Sequence, residues 1–327
     1  MTVPTDETVA ALPALLVEAF AERACSGNGA AVVLLRRPLA AEVLQAVASS
    51  LNQSETAFLL RDGQDWLLRW FTPSCEVKLC GHATLAATLA LGHWGKLAPG
   101  ERLALHSRSG PLAVELDAVR QDAARIELPA SELQPGFAEP VLLAYLQRPL
   151  GVAPEACWHS ALNYRVVLLP AAAPLAGTQL PAADLPQEVH PGLVLMQALP
   201  DDTTPTVLGR RCHYQLRFLA PGLGIPEDPV TGSAHALVAP WWLRRLGRTE
   251  VVGWQCSHRP GGMVCESASS GMIRLCGAGH LLWDGTLRLD PWPGGGRPSG
   301  ACHPGLPPSP EAGAAGSPAA AWRSLLP

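Results

Sequence analysis

One ordered pattern occurs twice in this chain and constrains its fold more than any other feature. The first copy reads Arg69-Trp70-Phe71-Thr72-Pro73, an acidic residue, Cys80-Gly81-His82-Ala83 and an apolar helix. The second reads Arg217-Phe218-Leu219-Ala220-Pro221, Glu227 and Asp228, Thr231-Gly232-Ser233-Ala234 and another apolar helix. Each copy runs strand, proline, acidic loop, glycine turn, hydrophobic helix. A repeated order of this kind predicts two similar domains related by pseudo-symmetry, with both glycine turns facing one cleft.

The helix opening at Gly81, GHATLAATLALGHW, has almost no charge, and a helix apolar on all sides belongs at the centre of a domain. The second starts at about Thr231, and Pro240 within it predicts a kink or break. Residues 38–51 place Leu39, Val43, Leu44, Val47 and Leu51 at helical spacing, with Pro38 suited to the first turn. Short strands are expected at Val17–Phe20, Ala30–Leu35, Thr56–Leu60, Trp66–Phe71, Leu103–His106, Leu112–Leu116 and Ala124–Leu128. Residues 129–215 are less legible, with a helix near Val141–Gln147 and strands near Arg165–Leu169 and Gly192–Gln197. Strands follow at Gln215–Leu219, Val251–Cys256, Met272–Cys276 and His280–Leu289.

A chain of 327 residues exceeds the usual single hydrophobic core. The expected units are 14–128 and 129–290, with the strand near 280–289 a candidate to cross back to the first. From 291 to 327 Pro, Gly, Ala and Ser dominate without periodicity, which predicts a disordered tail with no part in the fold.

Apolar residues make up 48% of the chain, ample for burial. A net charge of −4 with scattered Lys and Arg gives no reason to expect nucleic acid or an anionic membrane as partner. The acidic N-terminal segment does not read as a signal peptide, and apolar runs are interrupted well short of a membrane span. Nine irregularly spaced cysteines then read as reduced thiols, which makes the cytoplasm the expected location.

Each glycine turn leaves the first N–H groups of its helix unpaired, with the helix dipole behind them. Taken singly, Gly81 and Gly232 are turn-shaping caps; as a pair they point to the binding of a carboxylate or enolate. His82, at the mouth of the first turn, titrates near neutrality, or simply caps the helix. Cys80 precedes that turn, where a thiol can become a thiolate. A thiol-pair racemase needs a second cysteine at the matching turn, and Asp228-Pro229-Val230-Thr231-Gly232-Ser233 has none. Cys80 therefore reads better as a small buried hydrophobe. Glu227 and Asp228 either cap the second helix or orient a substrate group. Glu55 stands where a helix hands over to an apolar strand. It is a solvated strand end, or, if it points into a low-dielectric cleft, a general base. Neither Cys75, Cys80 and His82 nor Cys256, His258 and Cys265 has paired zinc-ligand spacing, so no metal is expected. No phosphate loop, dinucleotide fingerprint or serine elbow occurs, so no organic cofactor is expected either.

The blocks VEAFAERACSGNGAAVVLL (17–35), LNQSETAFLL (51–60), RWFTPSCEVKLCGHATLAATLA (69–90) and FLAPGLGIPEDPVTGSAHALV (218–238) together resemble the PhzF family. With QCSHR (255–259), the wording is most similar to its eukaryotic branch, the phenazine biosynthesis-like domain-containing proteins. The resemblance implies an α+β fold shared with diaminopimelate epimerase, in which each of two domains wraps a curved β-sheet around a central helix. It implies a cofactor-independent isomerase acting on a small carboxylate in the cleft between them, and a homodimer. It assigns the general acid/base to Glu55, assisted by His82 and Asp228, with Gly81, Thr231, Gly232 and Ser233 binding substrate. Related racemases put a thiol at the Cys80 position, so a thiol-based epimerase stays an alternative, as does an idle scaffold that keeps the fold. Gly29 stands where many members have Pro, and Pro240, Pro260 and the tail also depart from the family pattern.

Overall fold

A computed structural model describes residues 10–186, 189, 191–200, 205–269, 271–289 and 317–326. In the first half the strands are β1 (Ala10–Ala19), β2 (Asn28–Leu35), β3 (Glu55–Asp62), β4 (Asp65–Phe71), β5 (Glu76–Val77), β6 (Arg102–Ser107), β7 (Gly110–Leu116) and β8 (Ala123–Pro129). The second half holds β9 (Leu133–Gly136), β10 (Ala156–Ser160), β11 (Tyr164–Leu168), β12 (Gly192–Ala198), the short pair β13 (Thr206–Val207) and β14 (Arg210–Arg211), and β15 (Tyr214–Leu219). It continues with β16 (Glu227–Asp228), β17 (Glu250–Gln255), β18 (Gly261–Ser267) and β19 (Met272–Leu289). The helices are α1 (Ala41–Leu51), α2 (Gly81–His93), α3 (Pro140–Leu150), α4 (Gly232–Leu246) and a short α5 (Pro318–Arg323). None is long and apolar enough to cross a membrane.

The strands β1, β2, β3, β4, β6, β7, β8 and β19 pair in a closed ring. This barrel surrounds α2, whose residues Gly81 through Leu91 are all buried. An Ala/Leu/Thr helix suits that place, because small side chains let strands approach from every side and no charge is stranded. In the second half β10, β11, β12, β15, β17, β18 and β19 form a continuous curved sheet around α4. The fold is α+β, and the duplication is visible in its wiring. In each half the central helix is the crossover of a parallel pair, β4–α2–β6 and β15–α4–β17. Both halves also carry the same buried ion pair. Arg69 grips Glu76 through Nε (2.7 Å) and Nη2 (2.8 Å), and Arg217 grips Glu227 through Nε and Nη2 (both 2.7 Å).

Several sequence expectations are corrected. Pro240 does not break α4, which runs to Leu246; proline removes one N–H bond, and buried neighbours such as Ala236, Val238 and Ala239 hold the helix around it. Residues 272–289 form one long strand, not two, because its first part pairs with β8 and β18 and its second with β1. β1 starts at Ala10, ahead of Val17; Pro13 is tolerated because pairing with β2 begins only at Ala14. Pro38 precedes α1 and is not in its first turn. β9, β10 and β18 were not expected at all. Most of the expected tail lies outside the described residues, but at 317–326 a helix docks on the first barrel and buries Trp322 completely.

Candidate active site

The N-termini of α2 and α4 abut. A Cβ placed on Gly81 would lie 3.2 Å from Gly232 Cα, and one on Gly232 would lie 3.2 Å from Gly81 Cα. Glycine is required here by this close approach. Gly232→Ala is expected to push the two helix ends apart by a few tenths of an ångström and to cost about 1–3 kcal/mol, as core overpacking does. A urea titration checks this, and an unchanged midpoint would show that the helices yield freely. Neither helix has a side-chain cap. The N–H groups of Gly81, His82, Gly232 and Ser233 have no acceptor among the described residues. Two positive helix ends pointed at one spot repel each other, so an anion placed between them is stabilised.

Glu55 opens β3, beside Ala30 of β2. Its side chain is 18% exposed, and Oε2 sits 3.0 Å from His82 Nε2. That oxygen is buried without a well-aligned hydrogen bond among the described residues. His82 is buried on the first turn of α2. Burial alone would lower its pKa, but Cys80 and Glu55 outweigh burial and hold it well above the ordinary imidazole range. Cys80 is itself pushed up to about 11, chiefly by burial and further by Glu55. It is therefore neutral at pH 7. The Cys80 Sγ lies 3.5 Å from His82 Nδ1. A neutral, buried thiol is a poor nucleophile.

Asp228, on β16, comes from the other half of the chain and is also buried. Its Oδ1 accepts from Asn28 Nδ2 at 2.8 Å and its Oδ2 from Thr231 Oγ1 at 2.5 Å. The Thr231 hydroxyl serves Asp228, and its N–H donates to Gln255 Oε1 at 2.8 Å. Ser233 is half-buried at the opening of α4.

Asn28 and Gln255 escaped the sequence reading. Asn28 is fully buried and donates to Asp228 and to Val230 O at 3.0 Å, while its Oδ1 accepts from Ser54 Oγ at 3.0 Å. Its two amide hydrogens are thereby used, so its 3.2 Å approach to His82 Nδ1 is a contact and not a third donation. Asn28 thus ties the neighbour of Glu55 to Asp228, two hundred residues away. Gln255 fixes the same turn by donating to Asp228 O at 2.6 Å. The available signal was weak: an Asn at the mouth of a strand, inside a Gly-rich stretch that reads as a turn.

Among the described residues, Glu55, Cys80 and His82 bring donor atoms within 4.8 Å of one another, close enough for a metal ion. A thiol with so high a pKa and two facing helix N-termini oppose a cation there.

Asp228 is raised to about 6, first by burial and then by Glu55, against the lowering effects of His82, Thr231 and Asn28. The folded state therefore holds this proton more tightly than the unfolded chain, whose pKa is about 3.9. The associated stability is present at low pH and is lost as pH rises from ~4 through about 6. Asp228→Asn is expected to flatten that stretch of the Tm–pH profile, and an unaltered profile would assign the slope to other groups.

The chain is similar to known proteins along most of its length. An uncharacterized isomerase of Pseudomonas aeruginosa is 38% identical over 274 residues, covering 84% of this chain and 97% of the relative. The human phenazine biosynthesis-like domain-containing protein is 32% identical, covering 84% of this chain and 99% of its own. The crystal structure of a PhzF family protein from Enterococcus faecalis superposes with a TM-score of 0.74 at 30% identity, covering 86% of this chain and 100% of that one. Residues 17–275 match the PhzC-PhzF model, described as phenazine biosynthesis-like protein, and the chain belongs to that family.

Proposed function

We propose that this protein is a cofactor-independent isomerase that moves a proton between carbons of a small carboxylate, with Glu55 as the general acid and base. The observation that carries this reading is one carboxylate oxygen, buried and without an aligned hydrogen bond, beside two facing, uncapped helix N-termini. The names of bacterial relatives as isomerases support the reaction class.

In this scheme the substrate carboxylate takes the N–H groups near Gly81, Gly232 and Ser233. The substrate class this requires is an unsaturated carboxylate. Glu55 removes a proton from the carbon between the carboxylate and a C=C bond. The charge spreads over the carboxylate and that double bond as a dienolate, whose far carbon takes the returned proton as the double bond shifts. The helix N–H groups and the His82 imidazolium stabilise that charge where it develops. Glu55 then returns the proton to a different carbon, so the net reaction needs no redox partner. Asp228, held by Asn28 and Thr231, orients the substrate from the opposite half. The described cysteines are all free, which fits a reducing compartment such as the cytoplasm.

The test is a screen of small carboxylates in D2O, with incorporation read by mass spectrometry. The wild type is expected to place deuterium on carbon of at least one acid, and Glu55→Gln is expected not to. Exchange that survives Glu55→Gln but vanishes in Cys80→Ala would overturn the scheme in favour of a thiol base. Silence across the panel would favour an idle scaffold.

A further inference from the structure

The docked C-terminal segment lies on the outer face of the first barrel. Trp322 is fully buried there, and its Nε1 donates to Leu39 O at 3.1 Å. Leu325 joins the same apolar cluster as Leu44, Val47, Phe58 and Leu60. Arg323 pairs with Asp62 at 3.2 Å, and the Arg69 guanidinium lies 5.2 Å over the Trp322 ring. Leu287 and Leu289, at the end of β19, pack on that cluster too. The last strand of the fold and the docked segment therefore share one patch, although residues 290–316 lie between them.

A segment covalently joined to the body stands at high local concentration beside its groove. A six-residue helix is not stable by itself, so α5 owes its form to the groove.

The second half shows what the segment supplies. There Arg217, the counterpart of Arg69, donates through Nη1 to Leu175 O and Thr178 O, so a loop of its own half covers it. Trp322 does the covering for Arg69. Arg69 in turn grips Glu76 of β5, a few residues ahead of Cys80-Gly81-His82.

We propose that the groove between α1 and the outer face of β3 and β4 is a docking site for a short helix of Trp-x-x-Leu-Leu chemistry. Its occupant is this chain's own residues 317–326, held in cis as a releasable latch over Arg69. A protease site inserted within residues 300–310 of the full chain tests this directly. After cleavage, the wild-type fragment is expected to co-elute with the body in size exclusion at 10 µM. Its complete loss from the body would overturn the proposal. In a second arm, a fluorescein-labelled peptide of residues 316–327 is added to full-length protein. It is expected to bind Trp322→Ala, whose groove is vacated, at least ten-fold tighter than wild type, and adding Leu44→Arg should remove that binding. Equal affinity for wild type and a folded Trp322→Ala, or binding that survives Leu44→Arg, would place the peptide elsewhere and sink the idea.

Discussion

Glu55→Gln is expected to reduce carbon–deuterium exchange by roughly 10²–10⁴-fold, the usual contribution of a positioned acid–base group, without unfolding the protein. The amide is nearly isosteric, and the oxygen it replaces has no aligned hydrogen bond to lose. Its neighbour changes more. Without the carboxylate 3.0 Å from Nε2, His82 loses one of the two neighbours that offset its burial, and its pKa falls. The folded pKa of His82 is raised, so its linked stability is present below the unfolded value of about 6.5 and is lost as pH rises through the folded one. Glu55→Gln should therefore also weaken the alkaline limb of the Tm–pH profile and move the titration of the His82 ring resonances to lower pH. Activity lost with both of those unchanged would mean that Glu55 acts apart from His82. Activity retained would remove Glu55 from the chemistry.

The second large effect concerns stability. Arg217→Met should cost about 3–5 kcal/mol, because it leaves the carboxylate of Glu227 buried and unpaired. Both partners are largely shielded, at 9% and 13% exposure. The counterpart Arg69→Met should cost less, since Arg108 also reaches Glu76 at 3.1 Å and keeps a cation beside it. Urea titrations of the two variants give the comparison. A larger loss at Arg69 would show that the stacking under Trp322 outweighs the ion pair. Because Glu227 adjoins Asp228, the Arg217 variant should also lose exchange activity before it melts.

The features legible in the sequence were those that repeat or alternate. The Arg–Pro–acid–Gly–helix order marked both central helices and both glycine turns, since a buried helix and a close backbone approach restrict composition strongly. What the order does not encode is partnership across the chain. Asn28 looks like any turn asparagine until Asp228 is folded against it. Gln255 is one polar residue at the end of an apolar strand, and its amide bridges Asp228 O and the Thr231 N–H only once α4 is in place. β18 opens on Gly261-Gly262, which reads as a turn because glycine lacks strand propensity. The helix at 318–323 was hidden in an Ala-rich tail whose single informative residue, Trp322, has no periodic neighbours. Glu55 is a strand end by composition and a candidate base by family likeness, and its place 3.0 Å from His82 emerges only when β3 and α2 pack together.

The length of β19 has a consequence for how this chain is made. Its second part is the strand that closes the first barrel against β1, yet among the described strands it is the last to be synthesised. The nascent first half therefore leaves the ribosome with an open seam, and stays open while the whole second half is added. At ordinary elongation rates that interval is on the order of ten seconds, with the edges of β1 and β8 unprotected throughout. The first half cannot be expressed alone as a sealed unit. A permuted gene that places β19 ahead of β1 should shorten the exposed interval and raise the soluble yield.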